Sequence, residues 1–505
     1  MDMDKITSFC KRTGIIFPNS EIYGGCAGFW DYGPVGAQIK KNMTDLWWEE
    51  FVEQRDDVVG IDGSIITSPD VWKASGHVDS FSDPLVECKR CNKRSRADHL
   101  VEDTIGSSVE GMDPEELDEI IEEEHINCPR CGGELGSTKE FNLMFETNLG
   151  PVKSDDSKTY LRPETAQLIF TNFKLVKEST RQKLPFGIAQ MGRAFRNEVS
   201  PRNFVFRTRE FGQMEIEYFV HPDEVDDCPY MDDNIREYEV RILPEENQKG
   251  DKDPEEITIQ ESLEEGYIQT EWHAYWLYQH YNWFVKLGVD PDNLRLREHM
   301  EDEMAHYANS CYDIDYHFPF GWKEVYGNAD RGNFDLKQHI EESGENLEVY
   351  DQEEEENIIP RVVSEPSQGI DRSLLTFIID AYREEEGRTF LKLHPRLAPV
   401  KCRIFPLMAK DGLDEKAESV YTKLKDQINI EYEERGSIGK RYARADEIGV
   451  PYCITVDYDT LEDDTLTIRD RDSTEQIRVS IEDLPEVLGD LIEGELSFEE
   501  AQEKF

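Results

Sequence analysis

The clearest helical pattern in the chain follows Pro34, where apolar side chains recur every three to four residues. The apolar stripe consists of Ile39, Met43, Leu46, Trp47 and Phe51. Pro34 suits the first turn of such a helix, because the N–H that it lacks would have no partner there. Trp48 and Val52 widen the apolar surface. Core packing is therefore the first interpretation of this helix, and a subunit interface is the second.

Periodicity and turn residues predict further elements along the chain. A strand is expected at 61–66, a helix beginning after Pro163, and a tryptophan-rich helix near 271–287. Strand and turn signals return at 312–336 and 361–363. After residue 395 strands (401–408, 452–458, 465–471) alternate with helices (413–430, 439–449, 481–492). That alternation predicts a separate, compact α/β domain.

Polar and apolar side chains alternate with a period of two between residues 207 and 218, as in a strand. One face would carry Arg207, Arg209, Phe211, Gln213, Glu215 and Glu217. The opposite face would pack Met214, Ile216 and Tyr218. On the preceding strand Gln190, Arg196 and Glu198 share parity. The two strands therefore predict a hairpin whose polar faces form one floor.

The charge of this hairpin contrasts with that of the whole chain. The 505 residues, enough for two to four domains, carry a formal net charge of -53, yet residues 181–210 hold seven Lys and Arg against two Glu. Arginine binds phosphate through two parallel hydrogen bonds, so this basic segment indicates a bound polyanion such as the phosphates of a nucleotide. The alternative is a solvated hairpin with surface ion pairs; the whole array favours the nucleotide.

Acidic residues are concentrated in the stretches 102–124, 244–267 and 341–357, which are expected to be solvated loops and helix faces. Acidic residues also occur on most of the predicted helices. We expect a halophilic protein, since a strongly acidic surface keeps a protein soluble in a salt-rich cytoplasm. The sequence contains no run of eighteen apolar residues, so no membrane span is predicted, and the N-terminus does not resemble a secretion signal. The scattered single cysteines are typical of a reducing compartment, so a cytoplasmic location is expected.

Four cysteines form two Cys-x-x-Cys pairs, at Cys88 and Cys91 and at Cys128 and Cys131. Two tight knuckles of this kind predict a structural Zn²⁺ site, because four thiolates complete a closed tetrahedral shell. A redox dithiol is the alternative, but two pairs within one insertion do not resemble a single redox motif. A closed shell leaves no position for zinc chemistry.

Several segments, in order, resemble one enzyme family. FRNE followed by REF resembles motif 2 of the class II aminoacyl-tRNA synthetases, and GIDR at 369–372 resembles their motif 3. Together with EIYGG, DYGP, RPETAQ, QMEIEYF, EPSQGIDR and DYDTLEDDTLTIRDRDSTEQIR, they make nearly the whole chain resemble the dimeric, archaeal/eukaryotic type of glycyl-tRNA synthetase. The zinc insertion and the acidic stretches are the variable parts.

This resemblance implies an α+β fold with a class II catalytic core, an antiparallel sheet flanked by helices. It divides the chain into the N-terminal part of the core with dimer motif 1 (1–87), a zinc-binding insertion (88–140), the core with motifs 2 and 3 (141–395, with an acidic insertion about 244–267) and an α/β anticodon-binding domain (396–505). The implied partners are ATP with Mg²⁺, glycine, tRNA(Gly) and a second copy of the chain.

The resemblance also assigns roles to individual residues. Arg196 and Arg372 would be the catalytic arginines, on the α- and γ-phosphates. The ATP-binding set would be Arg196, Glu198, Arg207, Phe211, Glu324 and Arg372, with Glu324 serving Mg²⁺. The glycine-binding set would be Glu164, Glu215, Arg331, Glu365 and Ser367. The candidate tRNA contacts are Arg435, Lys440, Arg441 and Arg444, for which a short amphipathic helix with exposed basic residues is an equal alternative.

The pocket chemistry agrees with glycine as the substrate. Glycine has no side chain, so selectivity rests on holding its ammonium group and filling the space of a methyl group. One departure from the family's usual sequence lies at 327–336, where Asn328, Gly332 and Asn333 replace the expected neighbours of Arg331. The competing functions are a related synthetase for threonine, proline or serine, and a catalytically silent paralogue that binds nucleic acid.

Overall fold

The computed structural model describes residues 2–106, 109, 112–154, 157–250, 252–301, 303–304, 308–352, 355–385 and 387–505. The positions 107–108, 110–111, 251 and 353–354, which belong to the three acidic stretches, lie outside the described residues. No helix among the described residues has both the length and the apolar character needed to cross a lipid bilayer.

A nine-stranded main sheet forms the centre of the molecule. Its strands are β1 (Val58–Ile61), β2 (Phe186–Phe195), β3 (Glu210–Val220), β4 (Glu239–Leu243), β5 (Glu255–Thr258), β6 (Leu294–Glu298), β7 (Cys311–Phe318), β8 (Gly321–Ala329) and β9 (Arg361–Gly369). They lie in the order β5-β4-β6-β7-β8-β9-β3-β2-β1. Only the pairs β4–β6 and β1–β2 are parallel. Glu215 of β3 lies between Gln190 of β2 and Ser367 of β9.

Helices cover this sheet, which confirms the expected α+β class. They include α1 (Pro34–Trp48), α2 (Ala166–Thr180), α3 (Glu271–Lys286), α4 (Phe334–Ser343) and α5 (Ile370–Ala381). The predicted helices after Pro34, after Pro163 and near 271–287 are therefore confirmed. On the α3 face, the Tyr218 ring of β3 packs 4.9 Å from Trp272 and 5.3 Å from Trp276, centre to centre. The apolar face of β3 is thus buried against α3, and its polar face is directed to the opposite side.

The apolar surface of α1 is used within the chain. Its stripe is buried, and the helix continues as a π-helical turn over Glu49–Glu53. Trp48 packs against β1 at Gly60, where an added Cβ would lie 2.2 Å from the ring. Val52 is buried as well. Core packing therefore explains this helix, and its apolar excess does not by itself indicate a subunit interface.

The insertion has a small core of its own. A three-stranded sheet (Ser82–Glu87, Arg94–Arg96, Lys139–Asn142) and two helices (Ala97–Ile105, Pro114–Glu123) surround Val86, Val101 and Leu117. The acidic segment around 244–267 supplies edge strand β5 and the helices Glu245–Lys249 and Ile259–Glu264, so much of it belongs to the main sheet.

Shorter elements complete the core. The helices are Met3–Thr13, Pro69–Ala74, His77–Ser80 and Asp233–Arg236. The strand pairs are Ile16–Pro18 with Trp30–Tyr32, Phe145–Asn148 with Lys158–Leu161, Val349–Tyr350 with Asn357–Ile358, and Tyr382–Glu385 with Arg388–Leu391.

The predicted α/β arrangement of the C-terminal segment is confirmed. Its strands are β10 (Cys402–Pro406), β11 (Ile430–Tyr432), β12 (Tyr452–Val456), β13 (Thr465–Asp470) and β14 (Gln476–Ser480), in the order β11-β10-β12-β13-β14. Its helices are α6 (Leu413–Leu424), α7 (Ile438–Glu447), Tyr458–Asp463, α8 (Leu484–Glu493) and Phe498–Lys504. The helix expected at 413–430 is shorter, because Ile430 begins β11.

The strand predicted at 61–66 is wrong, since β1 ends at Ile61. At Gly63, side chains replace a neighbouring strand as partners of the backbone. The Gly63 N–H donates to Gln190 Oε1 at 2.7 Å, and the Gly63 carbonyl accepts from Arg162 at 2.8 Å. Apolar side chains alone did not reveal this change of partners.

The hairpin is confirmed for residues 210–220 and corrected before them. Strand β2 ends at Phe195 and β3 begins at Glu210, so Arg196, Arg207 and Arg209 lie in the connecting loop. Arg209 donates to the carbonyl oxygens of Ala27 and Glu198 at 2.9 and 3.0 Å, instead of sharing the polar face. The period of two holds only where both strands pair.

Candidate active site

A cavity of about 180 Å³ lies where the β2–β3 loop meets the start of α5. Its lining includes six residues predicted to bind ATP and one predicted to bind glycine: Arg196, Glu198, Arg207, Phe211, Glu324, Arg372 and Ser367. We call it the arginine cavity. The ATP-binding set named from the sequence is therefore brought together around one space.

Arg196 projects between two aromatic rings. Its guanidinium carbon lies 5.3 Å from the ring centres of both Phe81 and Phe211, and its Nε donates to the Pro163 carbonyl at 3.1 Å. Among the described residues no carboxylate pairs with Arg196. In a chain this acidic, a held guanidinium without a counter-ion is suited to an anionic ligand.

The other two arginines of the cavity are paired with its carboxylates. Arg207 Nε lies 2.8 Å from a Glu198 oxygen, and Arg372 lies 3.0 Å from a Glu324 oxygen. The Arg372 guanidinium also stacks over Phe206 at 4.5 Å. A triphosphate would compete with Glu324 for Arg372, and a cation at Glu324 would relieve that competition.

Asp371, which sequence reasoning missed, fixes the start of α5. It accepts from the Gly212 N–H of β3 at 2.6 Å and from the Tyr32 hydroxyl, and it lies 3.3 Å from Lys40 Nζ. The adjoining residue is Arg372, so Asp371 sets the position of that arginine relative to β3. Its place within GIDR was the only signal in the sequence.

A second cluster, which we call the acidic pocket, lies farther along the polar face of β3. Glu215 is buried and accepts from the Ser367 hydroxyl at 2.8 Å and from the Thr165 hydroxyl. Ser367 belongs to the neighbouring strand β9, and Thr165 directly precedes α2. Glu215 is thus held in one orientation before any ligand arrives.

Arg331 is the cation of the acidic pocket. It donates to Glu365 at 2.7 Å and twice to Asp335 at 2.8 Å, and its side chain is only 2% exposed. Asp335, on α4, was not predicted. Nε and Nη2 of Arg331 form the bidentate pair with Asp335, and Nη1 is directed to Glu365.

Glu164 is the third carboxylate of the acidic pocket, and its partners are His77 and Gln167. Its oxygens lie 3.2 Å from His77 Nε2 and 3.1 Å from the donating Gln167 amide. Burial alone would raise the pKa of Glu164, but His77 and then Arg331 lower it well below its usual value. Gln167 also donates to Asp335 at 2.9 Å, so it joins Glu164 to the Arg331 pair.

The other carboxyl groups are shifted the opposite way. Burial and the neighbouring Glu164 raise the pKa of Glu215, and burial raises that of Glu365 to about 8 although Arg331 opposes the shift. Glu217 is fully buried, its oxygens have no hydrogen-bond partner among the described residues, and burial followed by Glu365 raises its pKa well above the usual value. The pocket therefore combines Glu164, whose pKa is lowered, with neighbouring carboxyl groups whose pKa values are raised.

The departures from the family's usual sequence lie beside Arg331 and not between it and the pocket. Asn328 accepts from the Ser364 hydroxyl at 2.7 Å. Gly332 has φ +60° and exchanges backbone hydrogen bonds with Val362, and Asn333 occupies the N-cap position of α4 without a side-chain capping bond. The contacts of Arg331 to the two carboxylates are intact.

The four cysteines of the insertion converge. The sulfurs of Cys88 and Cys131 lie 3.6 Å apart, those of Cys91 and Cys128 lie 3.7 Å apart, and all four lie within 4.8 Å of one another. A tetrahedral ion with Zn–S bonds of about 2.3 Å needs sulfurs about 3.8 Å apart. The donor set therefore fits one Zn²⁺ ion.

The basic residues predicted to contact tRNA separate into two groups. Arg435 and Lys440 are exposed, and Arg444 is exposed while bonded to Glu433. Arg441 is 2% exposed and donates to the carbonyl oxygens of Pro406, Leu407 and Glu433. Its prediction as a tRNA contact is wrong, because this guanidinium is taken up by the interior of the domain.

Comparisons with known proteins agree with this arrangement. The family model "tRNA synthetase class II core domain (G, H, P, S and T)" matches residues 145–241, and the anticodon binding domain model matches residues 401–491. The prolyl-tRNA synthetase structure from Cryptosporidium parvum aligns with a TM-score of 0.59 at 13% identity, covering 97% of this chain and 75% of that one. At that identity the likeness concerns the fold alone.

Curated relatives are much more similar. The glycine–tRNA ligase of Clostridium acetobutylicum is 46% identical over 502 residues, 97% of this chain and 98% of its own length. That of Clostridium tetani is 45% identical with the same coverage, and that of Caldanaerobacter subterraneus is 44% identical over 96% of this chain and 97% of its own. The chain therefore belongs to the glycine–tRNA ligase family of class II aminoacyl-tRNA synthetases.

Proposed function

We propose that this protein activates glycine with ATP to glycyl-adenylate and pyrophosphate, and then transfers glycine to the 3′ end of tRNA(Gly). The observation that carries the proposal is the continuous polar face of β3. Phe211 borders the arginine cavity and Glu215 lies in the acidic pocket, about 13 Å farther along the strand at about 3.3 Å per residue. That distance suits an adenine and a glycine ammonium group at the two ends of one adenylate.

The proposed chemistry needs positioning more than acid–base catalysis. The glycine carboxylate attacks the α-phosphorus in line and pyrophosphate leaves. Arg196 neutralises charge on the α-phosphate and Arg372 on the γ-phosphate, while Phe211 stacks on adenine and Glu198 accepts from its amino group. Mg²⁺ bound with ATP supplies further charge neutralisation. No described side chain is required as an obligate base, because the carboxylate is already ionised.

Selection of glycine follows from the acidic pocket. Three carboxylates, Glu164, Glu215 and Glu365, would surround the ammonium group, and Ser367 and Arg331 would hold two of them in place. A side chain on the substrate would have to enter this packed cluster, so exclusion by clash is enough and no editing domain is needed.

Aminoacylation tests the function directly. The purified protein with ATP, Mg²⁺ and a tRNA(Gly) transcript should attach radiolabelled glycine to the tRNA, and omission of ATP should abolish the product. Attachment of threonine, proline or serine instead would assign the chain to a related synthetase. Tight tRNA binding without attachment would support a silent paralogue.

The shifted pKa of Glu365 gives a prediction about stability. Its folded pKa of about 8 exceeds the ordinary value of 4.5, so between these pH values the folded state binds the extra proton and stability falls as pH rises. Relative to Glu365→Gln, the wild type should lose up to about 1.4 kcal/mol per pH unit in this window. Urea unfolding followed by tryptophan fluorescence measures the difference; parallel pH curves would contradict it.

We propose that the cysteine cluster holds a structural Zn²⁺ ion. After dialysis against a weak chelator, the wild type should retain one zinc per chain by mass spectrometry of the metal content, and Cys128→Ser should retain little. Cys26→Ser is the matched control, because Cys26 is exposed and lies outside the cluster. Equal zinc in the wild type and the Cys128 variant would refute the site.

We propose the four-part domain division given above, with anticodon recognition by residues 396–505. Arg435, Lys440 and Arg444 remain the proposed tRNA contacts, supported by their exposure on one end of α7 and the segment before it. The single strand of the anticodon would be read by stacking and hydrogen bonds as well as by phosphate contacts.

We also propose that the protein is a cytoplasmic homodimer of the archaeal/eukaryotic type. The sequence resemblance supports this proposal, as do Ile22 and Tyr23, which are 88% and 87% exposed in the short 3-10 helix Glu21–Tyr23. Gel filtration in high salt, coupled to light scattering, should give twice the chain mass of 58.7 kDa.

The net charge of -53 supports a halophilic enzyme. Mutual repulsion of surface carboxylates is screened by salt, so activity and stability should rise as KCl is increased from dilute buffer towards molar concentrations. Aminoacylation assayed across a KCl series measures this dependence. Highest activity in dilute buffer would contradict it.

A further inference from the structure

The segment 75–81 joins the core to the cysteine-rich insertion and contacts both substrate sites on the way. His77, at the start of the helix His77–Ser80, lies with its Nε2 3.2 Å from Glu164 in the acidic pocket. Phe81, at the end of the segment, lies 5.3 Å from the guanidinium carbon of Arg196. One short stretch of chain therefore borders both sites.

The His77 ring is fixed from several sides. The Ser75 hydroxyl lies 2.8 Å from Nδ1, and the rings of Trp72 and Phe81 lie 5.6 and 5.3 Å from the imidazole, centre to centre. Trp72 is fully buried, and the side chains of His77 and Glu164 are only 11% and 12% exposed. The imidazole therefore cannot turn away from Glu164 without disturbing packed rings.

The direction of the hydrogen bond follows from chemistry. An ionised carboxylate only accepts, so the proton between His77 and Glu164 is carried by Nε2, and Ser75 is free to pair with Nδ1. The alternative partner of Glu164 is the single Gln167 amide at 3.1 Å. Without His77, one Glu164 oxygen would lose its only donor among the described residues.

The backbone of the segment is hydrogen-bonded to residues 142–143, where the chain leaves the insertion. The Asn142 amide donates to the His77 and Val78 carbonyl oxygens at 3.2 and 2.9 Å, and the Leu143 N–H donates to the Phe81 carbonyl at 2.9 Å. The insertion is thus anchored where His77 meets the acidic pocket.

We propose that His77 is a positioning residue for glycine binding, which acts by holding Glu164 towards the substrate ammonium group. His77 is not among the described residues that line the arginine cavity. The inference rests on the proposed function, because the orientation of Glu164 matters only if the acidic pocket receives glycine.

Substitution of His77 with a KM measurement tests this role. In glycine-dependent ATP–pyrophosphate exchange, His77→Ala should raise the KM for glycine at least tenfold and leave the KM for ATP within about twofold. His77→Gln should restore the glycine KM to within about threefold, because its amide can occupy the place of Nε2. His77→Asn, whose shorter amide replaces only Nδ1, should behave like His77→Ala.

Controls separate positioning from a general structural role. His125→Ala, at an exposed histidine of the insertion, should leave both KM values unchanged. In a Glu164→Gln background, His77→Ala should add little, because the two residues act together. Equal increases in both KM values, or no rescue by His77→Gln, would overturn the inference.

The proposed function and this inference fail in different ways. A wild-type protein without glycine-dependent exchange would overturn both. A wild-type protein with that exchange, together with a His77→Ala variant of normal glycine KM, would overturn only the role of His77.

Discussion

Arg196→Ala is expected to lower glycine-dependent ATP–pyrophosphate exchange at least about a thousandfold, which corresponds to roughly 4 kcal/mol of transition-state stabilisation. Arg196 is held between Phe81 and Phe211 by ring contacts and by the Pro163 carbonyl, with no carboxylate partner among the described residues. Its guanidinium is therefore already held in place, and in the proposed function it would meet the α-phosphate of ATP. Loss of a preorganised charge at the reacting phosphorus affects the rate more than it affects ATP affinity.

Two variants define the cause of that loss. Arg196→Lys should recover only part of the rate, because an ammonium group cannot donate two parallel hydrogen bonds. Arg193→Ala is the matched control, because Arg193 lies near the end of β2, is half-exposed and pairs with Glu210. Steady-state exchange assays measure all three, and an Arg196→Ala rate within tenfold of the wild type would contradict the assigned role.

Arg331→Leu is expected to destabilise the catalytic core by roughly 3–5 kcal/mol, because it leaves two buried carboxylates without their cation. Arg331 pairs with Asp335 and Glu365 in a cluster that is nearly closed to solvent. Glycine activation should be lost in the same variant. Leucine is shorter than arginine but keeps an apolar side chain near Phe170, and it leaves Asp335 and Glu365 without their cation.

Urea unfolding followed by tryptophan fluorescence measures this effect, since all eight tryptophans lie before residue 396 and report on the core. Lys41→Ala is the control, because its pair with Asp45 is exposed on both sides and should change stability by less than about 0.5 kcal/mol. A midpoint for Arg331→Leu equal to that of Lys41→Ala would contradict a stabilising role for the buried cluster.

Periodic features were predictable from the sequence. The helix after Pro34, the tryptophan-rich helix and the C-terminal alternation follow from repeats of three to four or of two, which depend on local geometry alone. The polar face of β3 from Phe211 to Glu215 was predictable for the same reason. The residues of the ATP and glycine sets could be named only from the family resemblance. The fold then brings the segments that carry them to this face.

Features that depend on distant partners were not predictable in the same way. Arg209 and Arg441 are basic and lie in basic segments, but backbone carbonyls from other elements take up their guanidinium groups. Trp48 suggested a subunit interface in the sequence, but in the fold its ring packs within the chain, in the space beside Gly60. His77 is absent from every motif that identifies the site, since its role comes from proximity to Glu164 and not from sequence spacing.

ATP–pyrophosphate exchange by the wild-type protein with single amino acids tests the proposed function most directly. Exchange should be stimulated by glycine alone, with alanine, serine, threonine and proline near background, because in the proposed function the acidic pocket binds the ammonium group and leaves no room for a side chain. Equal or greater exchange with any of the four, or no exchange with glycine, would contradict it.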